Sequence, residues 1–135
     1  MAGEYQPLER TIPASADLSA FQYRGVTIDS AGSAGTFANP VGAAASTPVY
    51  GILTNKPGAA SRGARVCVSG VTKMEAGSAV AIGDLVLVVG QAGRGVGIAP
   101  STAGTHWVVG RAMTRAAASG DIFEVAVNPF FYLRP

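Results

Sequence analysis

A sequence motif of 20 residues occurs twice in this chain, and it restricts the fold more than any other feature. Residues 49–68 read VYGILTNKPGAASRGARVCV and residues 108–127 read VVGRAMTRAAASGDIFEVAV. In both copies of the motif a Gly follows an apolar pair, a turn rich in small residues comes next, and alternating Val residues end the motif. Because Gly permits the positive φ of a tight turn and β-branched residues favour strands, each copy predicts two strands joined by a turn.

The two copies align on their glycines. Gly51 and Gly110 are 59 positions apart, whereas Gly63 and Gly120 are 57 positions apart. We therefore expect the turn of the first copy to be two residues longer than the turn of the second.

A third version of the closing half lies between the copies, at residues 79–88. There Gly83 and Asp84 precede a Val-rich segment, as Gly120 and Asp121 do in the second copy. An Asp at this position can accept hydrogen bonds from the amides of its own turn. We predict that these four residues form turns.

Short apolar segments separated by Gly-rich turns continue along most of the chain, and no segment has a helical period. The expected fold class is all-β, a small Gly-rich barrel or sandwich. Strands are predicted at residues 21–29, 49–54, 64–69, 71–75, 85–89, 107–114 and 121–128, with another resuming at Val96 and Ile98.

Segments at both ends differ from this pattern. Residues 1–20 contain two prolines and only sparse apolar residues, so we expect an extended amino-terminal arm. The β domain is then predicted at 21–128, with a long surface loop at 30–47, and an apolar tail at 129–135. If the arm is separate from the domain, deleting residues 1–13 should leave the melting temperature nearly unchanged.

Composition narrows the function classes. Charged residues make up 13% of the 135 residues, about half the usual share, while hydrophobic residues make up 48%. A surface with so little charge is expected to be covered by a binding partner. The net charge of +2 includes no basic run, and no segment is long and apolar enough for a bilayer span. We expect neither nucleic acid nor a membrane as a partner.

Residues with catalytic potential do not combine into a known motif. His106 is the only histidine, and Cys67, the only cysteine, lies between two valines. Residues 93–97 are Gly-rich but lack the Lys-Ser/Thr of a phosphate loop. A nucleotide hydrolase would need Asp84, Asp121 and Arg94 to converge. We expect no enzyme, no cofactor and no metal.

The ordered series of turn motifs at 79–88 and 108–127 resembles the sequences of the small decoration, or cement, proteins of tailed bacteriophage heads. The resemblance covers roughly residues 49–128. It implies a β-tulip-like domain that assembles as a homotrimer on the outer surface of the expanded capsid, after synthesis in the host cytoplasm. It also implies that an amino-terminal arm contacts the major capsid protein and stabilises the shell.

Candidate contact residues follow from this reading. In the arm, the apolar side chains are Tyr5, Leu8 and Ile12. The tail offers a second set, which either docks on another chain or folds back onto its own domain: Phe130, Phe131, Tyr132 and Leu133. Two other classes stay open, a small trimeric β-barrel nucleotide hydrolase and a carbohydrate-binding or adhesion module.

Overall fold

The structure is a computed structural model that describes residues 7–28, 32–36, 49–88, 93–102 and 104–134. These residues form nine strands and no helix, which confirms the predicted all-β class. The strands are β1 (Leu8–Pro13), β2 (Gly25–Ile28), β3 (Ala34–Thr36), β4 (Gly51–Leu53), β5 (Gly63–Glu75), β6 (Leu85–Leu87), β7 (Val96–Ile98), β8 (Gly104–Ala112) and β9 (Ile122–Arg134).

All strands belong to one antiparallel sheet with the order β3-β2-β4-β5-β9-β8-β6-β7, and β1 pairs with β5 beside this path. The sheet curls into a half-barrel. Isolated parallel bridges, Ala14 to Ala34 and Ala76 to Gly95, connect the residue after β1 and the residue after β5 to more distant parts of the sheet.

The segment predicted as a separate arm lies largely inside the β domain. β1 pairs with β5 over its whole length, with Ile12 opposite Ala64. Beyond β1, Ala14 and Leu18 are buried at 2% and 1% exposure. The predicted boundary at residue 20 is therefore wrong, because apolar side chains at 12, 14 and 18 pack into the core although the surrounding sequence has no strand period.

The carboxyl-terminal boundary at 129 also differs from the prediction. β9 continues through Pro129 to Arg134, and its final residues pair with the first half of β8. Residues 129–134 are thus the end of a long hairpin. Part of the predicted loop at 30–47 is also a strand, since β3 pairs with β2 and its Ala34 is fully buried; residues 37–47 lie outside the described residues.

Pairing registers show that the chain contains two equivalent halves. In the first, Leu53 pairs with Val66; in the second, 59 positions later, Ala112 pairs with Val125. The equivalence of strand pairing in the two halves extends beyond the repeated motif. Residues 63–69 of β5 take β1 as their other partner, just as residues 122–127 of β9 take residues 70–75 of β5. We call residues 8–69 the first half and residues 70–127 the second half.

Equivalent backbone hydrogen bonds close the turns of the two copies. The amide of Ser61 donates to the oxygen of Ala14, and the amide of Gly120, 59 positions later, donates to the oxygen of Ala76; both distances are 2.8 Å. The turns have the same length, so the predicted two-residue difference is wrong. Gly120 is equivalent to Ser61 and not to Gly63.

Ser61 occupies a backbone conformation that its glycine counterpart adopts more easily. Its φ is +69°, against +91° for Gly120. A left-handed conformation costs a non-glycine residue roughly 1–2 kcal/mol, and the extra freedom of glycine in the unfolded chain offsets roughly 0.5–1 kcal/mol of this.

Replacing Ser61 with Gly is therefore expected to raise the free energy of unfolding by about 0.5–1 kcal/mol. Urea denaturation of the two proteins measures the change, with Ser61→Ala as the control that keeps the strain. A Gly variant less stable than the Ala variant would contradict the equivalence of the two turns.

Small aliphatic side chains fill the core. One buried cluster lies within the first half and contains Leu18, Leu53 and Val66. A second cluster contains Phe123, the largest fully buried side chain in the described residues, and extends from the second half to Val49, Ile52 and Cys67 of the first. No polar or charged side chain among the described residues is buried. The interior is therefore an apolar scaffold, and candidate functional groups lie at its surface.

Candidate binding surfaces

The amino-terminal candidates differ in position. Tyr5 lies outside the described residues. Leu8 is at the start of β1 with 57% of its surface exposed, whereas Ile12 is partly buried and packs against the first-half core. Leu8 is thus available to a partner, while Ile12 stabilises its own domain.

The carboxyl-terminal candidates lie on β9 opposite the first half of β8. Phe130 is paired with Val108, and its partly buried ring packs against the cluster of Leu85, Leu87 and Val108. Phe130 therefore folds back onto its own domain. Phe131, Tyr132 and Leu133 continue the pairing in β9, and their side chains lie outside the described residues.

Both aspartates of the predicted turns accept hydrogen bonds from local amides. The Oδ2 atom of Asp84 accepts from the Ala81 amide at 3.0 Å, and that of Asp121 accepts from Ala117 and Ala118 at 3.0 and 3.1 Å. The preceding residues, Gly83 and Gly120, have φ values of +87° and +91°. Each carboxylate is thus engaged by its own turn.

Arg94, the third residue that a hydrolase would need, forms an ion pair with a different acid. Its Nε donates to Glu75 Oε2 at 2.6 Å, and Arg24 Nε donates to the same oxygen at 3.0 Å. The Arg24 guanidinium also lies 5.1 Å from the centre of the Phe21 ring. This cluster connects the start of β2 with the approach to β7 through the end of β5.

Sequence reasoning missed the cluster around Glu75 because its partners are 51 and 19 positions away. A contact over either separation leaves no local pattern in the sequence. The only available signal was the general tendency of a partly buried carboxylate to have a cationic partner.

A shallow polar cleft lies where the two halves join, with a volume of about 350 Å³. On one side Glu9 accepts a hydrogen bond from the Thr54 hydroxyl at 3.1 Å and pairs with Arg65 at 2.6 Å. On the other side Lys73 is opposite Glu124 in the register of β5 and β9. Glu9 is thus held by residues of two neighbouring segments, whereas Lys73 and Glu124 are related by strand register.

Cys67 and His106 lie in strands. Cys67 is buried in the core, and burial raises the pKa of its thiol, so the reactive thiolate is disfavoured at neutral pH. His106 is paired with Tyr132 in β8 and β9. Within the described residues, no group of three His, Cys, Asp or Glu side chains could hold a metal ion.

Large apolar side chains remain exposed at several places on the described surface. They are Leu8, Ile28, Ile82, Met113 and Ile122. Of these, Leu8 was predicted as a contact residue. The other four were not, because a strand pattern does not reveal which face of a curled sheet remains open.

Comparisons with known proteins supply no further identification. No protein-family model matches the chain, and no curated protein matches its sequence. No helix in the described ranges is long and apolar enough to cross a membrane. The protein is an all-β half-barrel built from two equivalent halves.

Proposed function

We propose that the protein is a structural virion protein that binds the outer surface of a phage capsid and stabilises the expanded shell. The resemblance of its turn motifs to those of decoration proteins supports this proposal. A further support is the charge-poor surface, since burial in an assembly removes its cost in water.

The observation that carries the proposal is the position of β1. Among the described strands, β1 pairs with β5 alone, and its other long edge has no strand partner. Leu8 starts this strand with its side chain exposed. An open strand edge can add a strand of another protein through backbone hydrogen bonds, while the adjacent apolar side chain fills a pocket on that protein.

In this proposal, the partner is the major capsid protein and the protein acts as a homotrimer. Three subunits around a junction of capsid proteins each contribute one β1 edge. The combined contacts resist the separation of capsid subunits more than any single contact does. The chemistry required is binding alone, so turnover and cofactors have no role.

Co-sedimentation with expanded shells that lack decoration tests the proposal. The full chain is expected to pellet with the shells, and sedimentation equilibrium is expected to give the mass of a monomer or a trimer. Leu8→Glu should weaken binding by about tenfold or more, because a charge replaces an apolar contact. Ile122→Glu is the matched control, since Ile122 is similarly exposed on another strand.

Failure of the wild-type chain to pellet with the shells would overturn the proposal. Equal losses in the Leu8 and Ile122 variants would show that β1 is not the specific contact. A stable dimer or tetramer in solution would contradict the trimeric arrangement.

A further inference from the structure

A groove of about 490 Å³ lies on the second half, between the turn before β6 and the turn after β8. Small apolar side chains line most of it, and two charged residues, Asp84 and Arg115, lie beside them. We call it the alanine groove; its apolar walls are Ala79, Val80, Ala81, Ile82, Ala116 and Ala117. The groove is open to solvent, and Ile82 is 69% exposed, the highest value among the large apolar side chains of the described residues.

The first half contains the same two turns. There the Leu18 amide donates to the oxygen of Pro57 at 2.9 Å, and in the second half the Val80 amide donates to the oxygen of Ala116 at 2.9 Å. Pro57 and Ala116 are separated by the same 59 positions that relate the paired strands. The alanine groove therefore has a direct counterpart in the first half.

The two sites differ in side-chain size at one position beside these turns. In the first half, the Arg24 amide donates to the oxygen of Phe21 at 3.2 Å; in the second, the Asp84 amide donates to the oxygen of Ala81 at 3.1 Å. Ala81 thus occupies the position of Phe21. The Phe21 ring packs against the first-half core, whereas the methyl group of Ala81 leaves the equivalent space open.

We propose that the alanine groove binds one aromatic side chain presented by a partner protein, in the place that Phe21 fills in the first half. The choice of partner rests on the proposed function: it is the capsid protein on which the chain sits. A free aromatic ring is expected to bind the groove weakly but saturably, and a ring presented by a protein is expected to bind more tightly. An open groove covers only one side of a ligand, and the surface that presents the side chain covers the rest.

Charge at the edge of the groove agrees with this occupant. In the first half Arg24 lies over the Phe21 ring, but its counterpart Asp84 has its carboxylate bonded to the Ala81 amide. Arg115, which is exposed, is the cation beside the groove. An aromatic residue next to an acidic residue or a free carbonyl is therefore the best-matched partner segment.

The first experiment uses the full chain and p-cresol, a small-molecule analogue of the tyrosine side chain. No capsid is present. Titration is followed by NMR of the alanine methyl groups. Saturable shifts are expected at Ala81, Ala116 and Ala117. In Ala81→Phe, where the chain supplies its own ring, the shifts at Ala116 and Ala117 should disappear. Ala99→Phe, at an exposed alanine outside the groove, should keep them. Absence of saturable shifts in the wild-type groove would overturn the inference.

The second experiment measures shell binding of the same variants. Ala81→Phe should retain the fold and bind shells about tenfold more weakly or worse, while Ala99→Phe binds as wild type does. Ile82→Glu, at the exposed wall, is a second test that does not depend on the folding of the Phe variant. Unchanged binding in both groove variants would overturn the inference. If wild-type protein does not bind shells, the proposed function fails, and the p-cresol titration still decides whether the groove accepts an aromatic ring.

Discussion

Replacing Gly110 with alanine is expected to cost roughly 3 kcal/mol or more in the free energy of unfolding, a large part of the stability of a small domain. A Cβ atom at Gly110 would overlap the carbonyl oxygen of Ala126 on the paired strand β9. Backbone atoms cannot move aside as a flexible side chain can, so the β8–β9 pairing itself would have to open.

The equivalent residue of the first half provides a second test. A Cβ atom at Gly51 would overlap the carbonyl oxygen of Cys67, which is the counterpart of Ala126. Gly51→Ala is expected to destabilise the protein to a similar extent. Gly58→Ala is the matched control, because its nearest contact is the end of the Arg62 side chain at 4.0 Å. Urea denaturation measures all three, and a Gly110 variant with the midpoint of the Gly58 variant would refute the close strand approach.

Deleting residues 1–13 is expected to lower stability by about 3 kcal/mol or more, contrary to the expectation from sequence. The deletion removes β1, whose six residues all pair with β5. It also removes Ile12 from the first-half core and uncovers the backbone next to Ala64 and Val66, which are fully buried in the intact protein.

A shorter deletion separates folding from binding. Removing residues 1–6 leaves β1 intact and should change the melting temperature little, whereas capsid binding should fall if Tyr5 contacts the shell. Thermal melts of the two truncated proteins, beside co-sedimentation of the shorter deletion, measure both effects. An unchanged melting temperature after removal of residues 1–13 would show that β1 contributes nothing to the core.

The sequence predicted the strand-forming segments best where apolar alternation met a glycine turn. β4, β6 and the first part of β9 lie within predicted strands for this reason. Residues 64–69 and 71–75 were predicted as separate strands because Gly70 interrupts them. In the structure they form the single strand β5, in which Gly70 has a φ of +104° and Pro7 lies against it. A close approach by another segment is visible only after folding.

The candidate sites were less predictable than the strands. Leu8 was predicted as a contact residue and is exposed in the structure, but the alanine groove was not predicted, because it is apparent only from the equivalence of Ala81 with Phe21. These residues lie 60 positions apart, and the segments that contain them, 21–24 and 81–84, have no sequence similarity. Their equivalence follows from hydrogen bonds between distant turns.

By itself, the sequence determined the all-β class and the repetition of a strand-turn-strand unit. Both follow from local properties, the side-chain alternation of strands and the backbone freedom of glycine in turns. Tertiary structure alone decided that the repeat extends over two complete halves sharing β5, that residues 8–18 belong to the core, and that one half fills its turn with Phe21 while the other leaves a groove. The physical reason is that strand pairing and burial join residues far apart in the chain, which no local pattern records.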